Sequence, residues 1–197
     1  MDKHQLEDLL LEALEHEQGG VKLYQQALEC VINPELSKEF THYLEETRNH
    51  VVTVSSLCET FGVDPGKETP GRLVVRQTAA ALAAAVRAAQ TAGNPAKAEI
   101  VACECVVLAE TKDHLNWTLI GKCAASMEGA EGDVLKAAYD AIESQEDEHL
   151  YHTRGWCREL WIQMLGMTAV LPPPEERRKV KTAIGAAKAE QEADNLR

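Results

Sequence analysis

Glutamate and histidine stand at Glu17, His50, Glu110, His114, Glu146 and His149, where the surrounding pattern calls for leucine or valine. Around each, apolar residues recur in steps of three and four. Leu6, Leu10 and Ala13 precede Glu17, and Tyr24, Ala27 and Val31 follow it. Phe40, Tyr43, Val54 and Leu57 flank His50; Ile100, Cys103, Val107 and Trp117 flank Glu110; Leu135, Tyr139, Ile142, Trp156 and Leu160 flank Glu146. Stripes of this period line the inner faces of helices packed side by side. Here each stripe is apolar at both ends and polar in the middle. A buried, unpaired carboxylate is strongly unfavourable, so such groups are paired or bind a cation. A single histidine in a stripe is ordinarily a hydrogen-bonded core residue. Six acidic or imidazole groups at the mid-length of four helices point to metal instead. Oxygen and nitrogen donors of this kind suit iron or manganese, and open coordination positions would admit oxygen or peroxide.

The elements that must position these residues are well punctuated. Asn33-Pro34, Thr69-Pro70 and Asn94-Pro95 each place a capping side chain before a proline suited to the first helical turn. Gly62 and Gly93 suit helix C-termini, and Gly129 and Gly132 mark a loop over residues 127–133. Helices are expected over about 3–32, 34–61, 70–92, 95–128 and 133–167, the third being shorter and alanine-rich and lying in the connection between residues 62 and 95. The chain has 197 residues, enough for one domain with a full core. Its richness in Ala, Leu, Glu, Gln and Lys, with no period-two alternation, predicts an all-α fold. Pro172-Pro173-Pro174 separates a helical domain, 1–171, from a charged tail, 172–197, expected to be helical with weak or partner-dependent packing, or disordered.

The formal net charge of −12 repels phosphate backbones and argues against nucleic-acid binding; its plainest reading is solubility. Residues 1–20 carry charge throughout and lack the apolar region of a signal peptide, and no uncharged apolar run nears the roughly 20 residues that span a bilayer. A cytoplasmic protein with no membrane contact is the expectation. None of the six cysteines forms a Cys-x-x-Cys pair, and Cys103 and Cys105 point to different sides of a helix, so all read as small buried residues in a reducing compartment. Leu73, Val74, Leu82 and Val86 on the alanine-rich helix suggest a homodimer.

The order and spacing of these motifs resemble the ferritin-like superfamily, which includes rubrerythrins, bacterioferritins and YciF-type stress proteins. The resemblance covers about residues 3–167 and implies a ferritin-like four-helix bundle whose long crossover carries an extra short helix. That family takes one Glu from each of two helices and a Glu-x-x-His from each of the other two. Glu17 matches the first helix, with Tyr24 completing a Glu-x6-Tyr motif. Glu110 matches the third, with Trp117 where a tyrosine would stand. Glu146 and His149 match the fourth, and His50 the histidine of the second. The resemblance thus implies that Glu146 bridges two ions, one completed by Glu17 and His50 and the other by Glu110 and His149. One position departs: Thr47 stands where a carboxylate is required. Glu46, one turn before His50, or His114, one turn beyond Glu110, would have to replace it, and His114 is preferred because it lies on the stripe. Glu143 and Glu104 are placed at the edge or outside, and His4, His16, His42 and His152 in solvent. The implied activity is a di-iron or di-manganese redox protein of oxidative stress, of ferroxidase, peroxidase or oxygenase type. No rubredoxin-like cysteine set accompanies it. The competing readings are a non-enzymatic stress or scaffold protein with a degenerate metal site, favoured by Thr47, and a metal-sequestering protein without turnover.

Overall fold

The computed structural model describes residues 2–197. Among them it contains helices and no strand: α1 (Lys3–Leu28), α2 (Pro34–Thr60), α3 (Pro70–Thr91), α4 (Pro95–Ala125), α5 (Ala130–Met164), α6 (Pro174–Arg177) and α7 (Ala183–Leu196). The starts follow from the caps. Asn33, Thr69 and Asn94 each accept a backbone N–H of the following turn, with proline behind them. The end of α1 falls several residues before the expected position 32. Its cause is distant in sequence: a buried carboxylate oxygen of Glu99, on α4, accepts the N–H groups of Ile32 at 2.9 Å and Asn33 at 2.6 Å. The amides of Glu29, Cys30 and Val31 still close on Gln26 and Ala27, and the capture of Ile32 and Asn33 keeps the helix from running on to position 32.

Side-chain pairings give the directions. Tyr24 meets Phe40 while Glu17 meets His50, so α1 and α2 are antiparallel. Tyr24 meets Glu110 while Trp117 meets Glu17, so α1 and α4 are antiparallel. Contacts from Cys103–Thr153 to His114–Asp147 make α4 and α5 antiparallel, and those from Glu39–His152 to His50–Gln145 do the same for α2 and α5. Hence α2 and α4 run the same way, and the chain must travel back between them. Helix α3 makes that return, packed along α1 and α4. Arg72 and Arg76 clamp it to Glu15 of α1 at 2.7 and 2.8 Å. Hydrogen bonds from Arg76, opposed by partial burial and joined by those from Arg72, hold the Glu15 carboxyl down at about 2. Close approach is possible because Gly19 faces Ala79; a Cβ at Gly19 would lie 2.9 Å from the Ala79 Cβ.

Two apolar clusters fill the ends of the four long helices. One gathers Leu23, Ala27, Leu36, Phe40, Val106 and Trp156; the other Leu10, Leu14, Leu57, Ile120, Leu135 and Ile142. The polar mid-layer of the sequence separates them. The α2–α5 seam is also polar, built on Glu39–His152, Glu46–His149 and His50–Gln145.

The tail packs rather than trailing away. Ala189 joins Leu150, Tyr151 and Val180 in a small cluster. Arg158 grips Glu175 through two nitrogens at 2.6 and 3.1 Å, and Arg197 pairs with the buried Glu159. These long-range ion pairs order a segment whose composition suggests loose packing. Of the four residues behind the expected homodimer, Leu73 and Val74 are exposed, Leu82 is half-buried and Val86 is in the core. No described helix is long and apolar enough to cross a membrane.

Candidate metal centre

Between the two apolar clusters, Glu17 from α1, His50 from α2, Glu110 from α4, and Glu146 and His149 from α5 converge, all buried. They form two trios, Glu17–His50–Glu146 and Glu110–Glu146–His149, whose candidate donor atoms lie within 4.8 Å of one another in each trio. Glu146 is common to both. The period of each stripe brings its polar mid-point to the same level as the others.

The two halves are built alike. Trp117 Nε1 donates to Glu17 Oε1 at 2.8 Å, and the Tyr24 hydroxyl donates to Glu110 Oε1 at 2.7 Å. One oxygen of each carboxylate is thereby fixed and the other turned to the centre. The histidines follow the same rule. His50 Nε2 meets Gln145 Oε1 at 2.7 Å, leaving Nδ1 at 3.0 Å from Glu146 Oε1 and 3.6 Å from Glu17 Oε2. His149 Nε2 meets Glu46 Oε2 at 2.9 Å, leaving Nδ1 at 3.5 Å from Glu110 Oε2 and 3.8 Å from Glu146 Oε1. Anchoring one ring nitrogen so that the other faces inward is how proteins orient metal-binding imidazoles.

Five buried atoms at the centre lack an aligned hydrogen-bond partner: Glu17 Oε2, His50 Nδ1, Glu110 Oε2 and both oxygens of Glu146. Buried polar atoms are paired in the great majority of cases, and this cluster of exceptions facing one another could hold a cation. By donor type the set fits cations that accept carboxylate and imidazole together.

The electrostatics show how tightly these charges are coupled. Burial alone would depress His50, but Glu146 and Glu17 overcome it and lift the imidazole to about 11. Burial likewise opposes ionisation of His149, and Glu110 and Glu46 raise it to about 10. Burial lifts Glu146 to about 7 against the pull of His50, with Glu110 and Glu17 adding repulsion. Asp113, buried beside the centre, is pushed well above the usual carboxylate range by burial and by Glu17, Glu146 and Glu110. The surrounding carboxylates thus favour the protonated form of both imidazoles, and a cation held by them would compete with those protons.

The remaining sequence candidates lie elsewhere. Thr47 is buried, but its hydroxyl donates to the Tyr43 carbonyl at 2.8 Å, which makes it no substitute for a bridging carboxylate. His114 lies outside both trios, partly exposed, with Nε2 at 2.9 Å from Asp147 Oδ1. Glu46 is the closer of the two compensating candidates, yet its contact is with the outer nitrogen of His149. Glu143 is exposed, and Glu104 accepts a bond from Trp161 at the edge. His4 and His42 are exposed as expected, whereas His16 and His152 are enclosed by neighbouring helices. Sequence reading passed over Gln145, which holds His50, and a buried network in which Tyr43 donates to Glu39 and His152 Nδ1 stands 2.9 Å from the Tyr43 oxygen. The Tyr43 ring lies 4.1 Å from that of His149. Gln145 adjoins Glu146 in the sequence but reaches His50 on another helix, and no local pattern in the sequence signals that contact. Compared with known protein families, curated proteins and solved structures, the chain matches none.

Proposed function

We propose that this chain is a ferritin-like four-helix bundle that binds two divalent metal ions, iron or manganese, and uses them in redox chemistry with oxygen or peroxide. The observation that carries this reading is the set of orphaned donor atoms, five of them, shared by four buried residues around Glu146. The direction of the helices supports the bundle assignment: one long crossover between two parallel, diagonally placed helices is the ferritin-like connection. A metal pair of this kind supplies reversible electron transfer at a buried site. The chain's own residues do the rest. Glu146 would be shared by both ions, with Glu17 and His50 completing one and Glu110 and His149 the other. Trp117, Tyr24, Gln145 and Glu46 fix the angles of those four donors. The apolar clusters above and below keep bulk water away from the centre.

A second reading, sequestration without turnover, draws on Thr47. With that hydroxyl bound to its own helix, Glu146 would be the one carboxylate shared by two ions, which would couple them less strongly. The test is elemental analysis of untagged protein after loading with ferrous iron or manganese, followed by mixing with oxygen or peroxide. Two ions per chain that react support the redox centre. Two inert ions support sequestration, and an absence of bound metal after loading overturns both.

A further inference from the structure

Two of the six cysteines lie together where α4 begins and α5 nears its end. Cys103 is fully buried, and its Sγ stands 3.7 Å from the carbonyl oxygen of Thr153, one helical turn before Cys157. The Cys103 and Cys157 thiols are neighbours whose titrations influence each other, and both are free. They sit in the apolar cluster with Trp156 and Leu160, away from the metal trios. Cys103 precedes Glu110 by seven residues and Cys157 follows His149 by eight, which places them about 10–12 Å from the centre along their helices. Cys157 is partly buried and Cys103 fully buried, so Cys157 is the more accessible of the two.

We infer that Cys103 and Cys157 form a dithiol that a hydroperoxide oxidises to a disulfide joining α4 to α5. Cys157 is the attacking thiol. Its neighbour holds it below the usual thiol range, while burial pushes Cys30, Cys58, Cys105 and Cys123 up, Cys105 to about 11. The Cys103 S–H can turn from the Thr153 carbonyl to the Cys157 sulfur and stabilise its thiolate. In the first step that sulfur attacks one peroxide oxygen. An S–O bond forms, the O–O bond breaks, and the leaving hydroxide takes the proton shed by Cys157 to become water. In the second step the Cys103 sulfur attacks the sulfenic sulfur. An S–S bond forms, the S–O bond breaks, and the hydroxyl leaves with the Cys103 proton as a second water. Two thiols lose two electrons and two protons, and one hydrogen peroxide becomes two waters. No metal takes part, so the step stands or falls separately from the metal centre.

The full-length protein, stripped of metal with a chelator, is treated with an equivalent of hydrogen peroxide, alkylated after denaturation and mapped by mass spectrometry. The expected result is a mass loss of about 2 Da, a linked peptide pair carrying Cys103 and Cys157, alkylation of the other four cysteines, and reversal by dithiothreitol. Cys103→Ala should leave Cys157 as a sulfenic acid trapped by dimedone. Cys157→Ala should consume peroxide at least tenfold more slowly. No linked pair in the parent protein, a bridge between other cysteines, or equal peroxide consumption by parent and Cys157→Ala would overturn the inference. The parent peptide map decides the question even if a variant fails to fold.

Discussion

The two halves of the centre share a plan and differ in one charge. Glu17 is steadied by Trp117 and Glu110 by Tyr24; His50 is held by Gln145 and His149 by Glu46. The first histidine thus leans on a neutral amide and the second on a carboxylate. A carboxylate behind an imidazole adds negative charge near a bound ion. The Glu110–His149 half should therefore fill first and hold its ion more tightly. Near-symmetry in the donors does not make two equal sites, because the groups one layer out set the field.

Substitutions can break this comparison in graded ways. The largest effect is expected from Glu146→Ala, which removes the donor common to both halves; metal content after loading should fall from two ions per chain toward none. Retention of two ions would end the shared-bridge arrangement. Next, His50→Ala and His149→Ala should each remove about one ion, and titration calorimetry should find the ion left in His50→Ala to be the tighter of the two survivors. The opposite order would reverse the assignment of strong and weak halves. Smaller still, Glu46→Gln should weaken a single ion by about 10–100-fold and bring the two affinities together. His114→Ala should leave stoichiometry and both affinities unchanged, since its partner is Asp147; lost metal in that variant would return His114 to the centre.

How far the sequence carries the structure depends on the range of the contact. Stripe periodicity exposed Glu17, His50, Glu110, Glu146 and His149, because each stands in a series of apolar residues whose inward direction is certain. It misjudged His114. A step of four residues from Glu110 turns about 40° past a full helical revolution, enough to carry that ring to Asp147, while Trp117 at seven residues swings back to Glu17. Glu46 lies off its own stripe but reaches His149 on another helix, a reach that only the seam between α2 and α5 reveals. The starts of α2, α3 and α4 were legible because their caps are local, whereas α5 begins at Ala130, inside the expected loop, with no side-chain cap to announce it. The end of α1 was not legible, because Glu99 captures Ile32 and Asn33 from far along the chain. The docked tail was missed for the same reason: Glu159 and Glu175 find their arginines through the fold.

The polar seam between α2 and α5 also bears on timing. The donors are enclosed, with Glu17 at 0% exposure and Glu146, His50 and His149 at 1%. Apolar residues close the centre at both ends, whereas Glu39 and Glu46 on the seam keep part of their side chains in water. Parting α2 from α5 breaks hydrogen bonds that water can replace, so this is the least costly place for the helices to separate. Ions would enter and leave at the frequency of that opening. The rate at which a chelator empties the protein should then level off as chelator is added, reporting the breathing of one helix pair rather than the strength with which the ions are held.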